Sequence, residues 1–229
     1  VKSGWRVAVL TMAVVAAVVG LPASAAMRRD KAATLAAATA PRGRFELNRA
    51  TGMLLVIGAL LGVIVAGLVI HLVPMLVDRG MPPVQAAGMA ASVGLAVAVA
   101  RVLVGWLFDR FHAPYVACLF LLTPIVSCLL LRFGGPVLPA ALGLGLAAGA
   151  EVDMMAFLVG RYAHMRNYGA TYGGVLSVFC LGAAFGPLLF GKSVDMTGNY
   201  NLALGLSAVA LLAVVGMIGL LGPYRQAQQ

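Results

Sequence analysis

The chain has 229 residues, 62% of them hydrophobic and only 10% charged, with a formal net charge of +9. A water-soluble domain is typically about 45–50% apolar and about 25% charged, so a single core surrounded by water is excluded. The excess of bases, which on a soluble domain would point to nucleic acid, lies between apolar blocks and instead fits orientation across a bilayer.

Seven apolar segments follow one another at approximately 5–22, 51–76, 84–107, 114–132, 137–160, 169–191 and 200–222. Each is close to the ~20 residues that cross a hydrocarbon core as a helix. Only a helix satisfies its own backbone within one segment in lipid, so all seven are read as helices. The first follows Lys2 and Arg6 and runs into Ala23-Ser24-Ala25. That pattern also has the form of a signal peptide and cleavage site; removal would leave six spans and place the following loop outside.

Residues 23–50 form a long basic connection, with Arg28, Arg29, Lys31, Arg42, Arg44 and Arg49 against Asp30 and Glu46. An interfacial helix around Lys31–Ala40 is expected within it. The later connections are short and carry turn residues: Gly80-Met81-Pro82-Pro83, Gly134-Gly135-Pro136 and Gly198-Asn199. With residues 23–50 in the cytoplasm, ten bases fall inside: the six of that loop, Arg110, Arg161, Arg166 and Arg225. Five fall outside: Lys2, Arg6, Arg79, Arg132 and Lys192. The bias agrees with the positive-inside rule and argues against the signal-peptide alternative, which would invert every loop.

Several residues inside the spans invite chemistry. Arg101 sits two turns before Asp109, too deep for a loop charge. An arginine within a span faces protein or a watery cavity and marks function by default, and its planar fork can hold a carboxylate through two hydrogen bonds. The alternative is a snorkelling or structurally paired cation. Glu151 and Asp153 lie at a similar depth. Being two residues apart, they point to different faces of a helix. Each is a candidate for proton coupling or for an ion pair with Arg101. His71, near the outer end of its segment, could line a cavity, against the blander reading of a packing histidine. Gly145-x-x-x-Gly149 and Gly182-x-x-x-Gly186 would let helices approach closely. Cys118, Cys128 and Cys180 lack metal-ligand spacing and read as small buried hydrophobes.

Gly105, Leu107, Asp109 and Arg110 match G-x-L-x-D-R at the cytoplasmic end of the third segment. This resembles the signature loop of the major facilitator superfamily as it recurs between helices eight and nine, although His112, Ala113 and Pro114 stand where that pattern has glycine and bases. "GWR" at 4–6 resembles the start of helix six. "HLVPMLVDRGMP" at 71–82, with the small-residue run after it, is similar to helices seven and eight of the monocarboxylate and oxalate/formate branch. Residues 149–200 resemble helices ten and eleven of that branch.

The resemblance implies an all-α, polytopic membrane protein with seven transmembrane helices. Residues 1–22 would be helix six of a full carrier, 23–50 the central cytoplasmic loop, 51–222 the C-terminal six-helix bundle and 223–229 a cytoplasmic tail. It implies secondary transport of a small organic anion by alternating access. Arg101, followed four residues later by Gly105, fits the substrate-contacting arginine of helix eight. Related monocarboxylate carriers place an aspartate one turn earlier, where this chain has Val97; oxalate carriers use a helix-eleven lysine, absent from 172–190. A monocarboxylate is therefore expected over a dicarboxylate. Asp109 and Arg110, with Arg161 as partner, would form a conformational gate, and Asp109 would sit near the N-terminus of the helix beginning around Thr171.

The implied partners are a small carboxylate, the bilayer, a proton as candidate coupling ion and the N-terminal half of the carrier, missing here. No cofactor is expected, and the implied location is a cell membrane, as in the inner membrane of a bacterium. A membrane-embedded enzyme using Glu151, Asp153 or His71 is a rival class, but no H-E-x-x-H or paired-metal spacing supports it. A nontransporting remnant or assembly subunit is the other.

Overall fold

The computed structural model of the protein describes residues 4–26 and 44–222. Among them there is no strand. Seven α-helices follow one another: α1 Gly4–Ala26, α2 Arg49–Asp78, α3 Pro83–Arg110, α4 Ala113–Arg132, α5 Val137–Tyr162, α6 Tyr168–Thr197 and α7 Asn201–Leu220. A single 3-10 turn, Met165–Asn167, joins α5 to α6. The last six helices are each long and apolar enough to cross a membrane. The expected interfacial helix around Lys31–Ala40 lies outside the described residues.

The first helix belongs to a unit of its own, Val1–Arg42. It contains a shorter apolar stretch, Val9–Pro22, and continues past Pro22 to Ala26. The second unit, Gly43–Gln229, holds the other six helices.

Helix ends in the second unit follow from identifiable residues. The Asn48 side chain accepts a hydrogen bond from the Thr51 amide at 2.8 Å and so caps α2. Pro83 opens α3, where its missing N–H costs no hydrogen bond. Gly80, Gly134 and Gly198 take φ of +87°, +72° and +71°, left-handed values that close α2, α4 and α6. These are the turn glycines expected from the sequence. The sixth segment runs further than its apolar stretch. It was expected to stop at residue 191, but α6 continues through Lys192 and Asp195 to Thr197. Charge at an interface ends the apolar run without ending the helix; the left-handed glycine ends it.

The most extensive helix contacts are α2 with α6 and α3 with α5, with α4 between α5 and α7. Glycine makes the first two possible. A Cβ at Gly182 would strike the Ala59 carbonyl, and one at Gly186 the Val63 carbonyl, so α6 lies backbone to backbone on α2. A Cβ at Gly145 would meet the Val93 carbonyl at 2.5 Å, and one at Gly149 the Val97 carbonyl at 2.6 Å. Both G-x-x-x-G pairs thus act in packing, as expected, because lipid offers no hydrophobic drive and close van der Waals contact must hold the helices. Leu61, Leu68, Leu72, Leu144, Met154 and Leu158 form the centre of the core.

Side chains also stitch the two ends of the bundle. At one end Arg79 donates to the Leu131 carbonyl and Arg132 to the Asn201 carbonyl. At the other, the Tyr162 hydroxyl donates to Gly222 O at 2.7 Å, and the Arg44 amide donates to Asn167 Oδ1 at 3.2 Å. Each contact joins residues that alternate threading places on the same side of the membrane.

Candidate functional site

Helix α3 carries three of the candidate residues singled out in the sequence. Arg101, Gly105 and Asp109 are spaced by four, so they lie on one helix face, and all three are exposed. Gly94 and Ala98 extend the same exposed stripe towards the outer end. A Cβ at Gly94 or Gly105 would meet nothing within 4 Å, so these glycines do not pack within the bundle as Gly145 and Gly149 do. The opposite face of α3, with Val93, Ala96, Ala100 and Val104, is buried. Helix α6 is built likewise, with Gly173, Ser177, Leu181 and Leu188 exposed opposite the buried Gly182 and Gly186. These are the two least buried of the six spans. Cys180 also lies on the exposed side of α6, which corrects the expectation that all three cysteines are buried; Cys128 is buried and Cys118 partly so.

The two acids of α5 diverge. Glu151 turns towards α2 and α4 and lines a cavity of ≈10 Å³ with Leu61, Val65, Phe120 and Leu121. Its Oε2 is shut off from solvent and has no hydrogen-bond partner among the described residues. Arg101 is the charged group whose field acts on it. Asp153 instead acts electrostatically on Tyr172 of α6. Glu151 thus faces a small apolar cavity between α2, α4 and α5.

At the end of the bundle that holds the α5–α6 turn, Asp109 and Arg110 finish α3 and are exposed. The Arg110 guanidinium lies 5.4 Å from the Trp106 ring centre. Arg161 lies 4.8 Å from the ring of Phe157, which stacks on Phe108 at 4.6 Å. The ends of α3 and α5 are thus joined by an aromatic pair with a cation on its far side. Helix α6 starts at Tyr168, one turn earlier than the expected Thr171. Two residues at this end carried no signal of their own in the sequence. Asn167 is buried and receives the Arg44 amide, and the Phe45 ring covers Gly174, where a Cβ would come within 2.9 Å.

His71 stands near the opposite end of the bundle, between α6 and the start of α7. Its Nε2 lies 3.0 Å from the Pro187 carbonyl and its Nδ1 3.4 Å from the Tyr200 hydroxyl. A carbonyl only accepts, so Nε2 carries the proton, and Nδ1 accepts from the tyrosine. The ring also stacks on Phe190 at 5.9 Å. Both polar atoms are engaged in joining α2, α6 and α7. No group of three or more metal-ligating side chains occurs among the described residues.

Six helices long and apolar enough to cross a membrane are thus paired through glycine contacts, with α3 and α6 left with open faces. The family model of the Major Facilitator Superfamily matches residues 1–187, and the chain belongs to that superfamily. It is 29% identical over 157 residues to human monocarboxylate transporter 11, covering 63% of this chain and 33% of that protein. It is 31% identical over 159 residues to monocarboxylate transporter 13 of Bos taurus, covering 65% and 36%. The chain thus spans about a third of the length of these relatives. Its fold matches the E. coli fucose:proton symporter FucP with a TM-score of 0.65 at 18% identity, over 77% of this chain and 43% of the symporter. A second FucP structure, in the outward conformation, gives 0.64 at 20% identity, over 76% and 43%. The family consists of transporters, and the chain is not an enzyme.

Proposed function

We propose that the chain forms the carboxylate-binding half of a secondary transporter for small organic monoanions. The supporting observation is Arg101, a cation in the body of a spanning helix on an exposed face lined by small residues. A guanidinium in hydrocarbon is costly, so such a site is tolerable where it meets water, an acid or an anionic guest. The fork of Arg101 would hold the guest's carboxylate, and Gly94, Ala98 and Gly105 would leave room beside it. The exposed faces of α3 and α6 would meet an N-terminal half, with the substrate between them, and the halves would rock to open alternately to either side. Asp109, Arg110 and Arg161 would serve the inner gate, with Arg161 against the Phe157 ring of the Phe108–Phe157 stack. His71 acts in this reading as a fastener of the outer end rather than as a ligand. The cytoplasmic side would be that of residues 44–48 and the α5–α6 turn, in the cell membrane of a bacterium.

Binding of pyruvate, acetate, formate and lactate to the purified chain in lipid nanodiscs, followed by calorimetry, tests this. Arg101→Gln should abolish binding and Arg101→Lys should weaken it at least about tenfold, the loss of one charge-assisted hydrogen bond. Equal affinity in all three proteins would refute the role of Arg101.

A further inference from the structure

We propose that the Arg101 site also takes amino acids, with Arg101 holding the carboxylate and Asp153, beside two stacked tyrosines, holding the ammonium group of the zwitterion. This goes beyond the monoanion reading and rests on its assignment of Arg101 as the carboxylate ligand.

Packing contacts place the two charged groups at one depth. A Cβ on Gly149 of α5 would meet the Val97 carbonyl of α3 at 2.6 Å and the Ala100 methyl at 2.7 Å. Further along, the rings of Phe157 and Phe108 stack with centres 4.6 Å apart. The two marks advance together along both helices, so α3 and α5 run parallel. By either mark Arg101 and Asp153 lie within ~5 Å of the same depth. Arg101 stands two turns before Phe108 and Asp153 one turn before Phe157, so both lie on the side of the seam that carries the ring pair. Among the described residues no ion pair joins them.

Helix α6 supplies the wall beside Asp153. A Cβ on Gly160, two turns from Asp153 on the same face of α5, would lie 3.6 Å from the Tyr168 ring. That ring stacks on Tyr172, with centres 5.8 Å apart and planes 8° from parallel. Helix α6 returns antiparallel to α5 after a short turn, so Tyr172 stands one turn nearer to Asp153 than Tyr168 does. Asp153 and both tyrosines are half-buried, open to a guest. Glu151, two residues away, faces α2 and α4 instead and takes no part. An acid in a span is costly without a partner. A simple monoanion would satisfy Arg101 and leave Asp153 alone. A guest that also carries an ammonium group satisfies both, through a charge-assisted hydrogen bond to the Asp153 carboxylate and attraction to the tyrosine ring faces. One cation and one acid at the same depth thus match a dipolar guest of the opposite order.

The test compares butyrate with α-, β- and γ-aminobutyrate by calorimetry on the purified chain in nanodiscs at neutral pH. At least one aminobutyrate should bind more tightly than butyrate by about tenfold or more, the worth of a hydrogen bond to a charged group. The isomer that does so measures the spacing of Arg101 and Asp153. Asp153→Asn should abolish that preference and, with a negative charge gone from beside the guest, bind butyrate more tightly than wild type. Glu151→Gln should keep the preference. A wild type that binds butyrate and prefers none of the three isomers overturns the proposal and leaves the Arg101 reading intact. So does a preference that survives Asp153→Asn, or one that vanishes in Glu151→Gln. An Asp153→Asn protein that binds neither butyrate nor an aminobutyrate overturns it too, because removing an acid should not cost an anion its site. Failure of wild type to bind any of the four ligands refutes the Arg101 reading itself, and this proposal with it.

Discussion

His71 of α2 and Tyr200 at the start of α7 are joined ring to ring, with Nδ1 and the hydroxyl 3.4 Å apart and ring centres separated by 5.7 Å. The histidine is at the same time bonded to Pro187 of α6. Helix α2 is therefore fastened to the consecutive helices α6 and α7 by a single imidazole.

Tyr200→Phe removes the hydroxyl and leaves Nδ1 without its donor. Thermal unfolding in detergent should show a loss of about 1 kcal/mol, the usual net worth of such a bond. His71→Ala should cost more, since the Phe190 stack is lost as well. No change in either variant would mean that the outer end is held by other contacts.

The same tyrosine carries a pH signature. Burial, and then the Asp78 carboxylate nearby, raise its hydroxyl above the ordinary value of 10.0. A proton held more tightly in the folded than in the unfolded chain stabilises the fold fully below the unfolded value. That contribution is lost as pH climbs through the folded value. Melting temperature should therefore be unaffected by this group at neutral pH and decline in the alkaline range above 10.0. The alkaline decline should be smaller in Tyr200→Phe. An equal decline in both proteins would assign it to other groups.

The α2–α6 seam is intolerant of a single methyl group. Gly186→Ala would push a Cβ into the Val63 carbonyl, and Gly182→Ala into that of Ala59. Backbone cannot yield as a side-chain tip can, so each should cost about 1–3 kcal/mol, the range for overpacking. Gly173→Ala, on the open side of the same helix, meets nothing within 4 Å. It should be neutral or stabilising by up to about 1 kcal/mol, because alanine is the better helix former. Comparable melting temperatures for Gly186→Ala and Gly173→Ala would refute the close approach.

Sidedness can be read by labelling. In a chain whose three cysteines are replaced by serine, Asn199→Cys and His164→Cys each present an exposed thiol in a connection. An impermeant maleimide should reach the first in intact cells and the second only after permeabilisation. The reverse pattern would invert the bundle and place the basic loop outside.

The sequence determined much of the frame by itself. Apolar length marked the six later spans, the glycines of the seams marked where helices close, and the two G-x-x-x-G pairs marked the closest approaches. Each of these is local: a span needs a certain number of apolar residues, a left-handed turn needs glycine, and a small-residue pair permits contact whatever its partner. The tertiary structure alone decided which face of each helix looks inward. It turned Glu151 into the bundle and Asp153 towards α6, engaged both nitrogens of His71, left Cys180 exposed, and laid Phe45 over Gly174. Hydropathy could not have made those choices. Lipid is as apolar as the core of the bundle, so buried and lipid-facing sides of a span read alike, and only packing against a particular neighbour tells them apart.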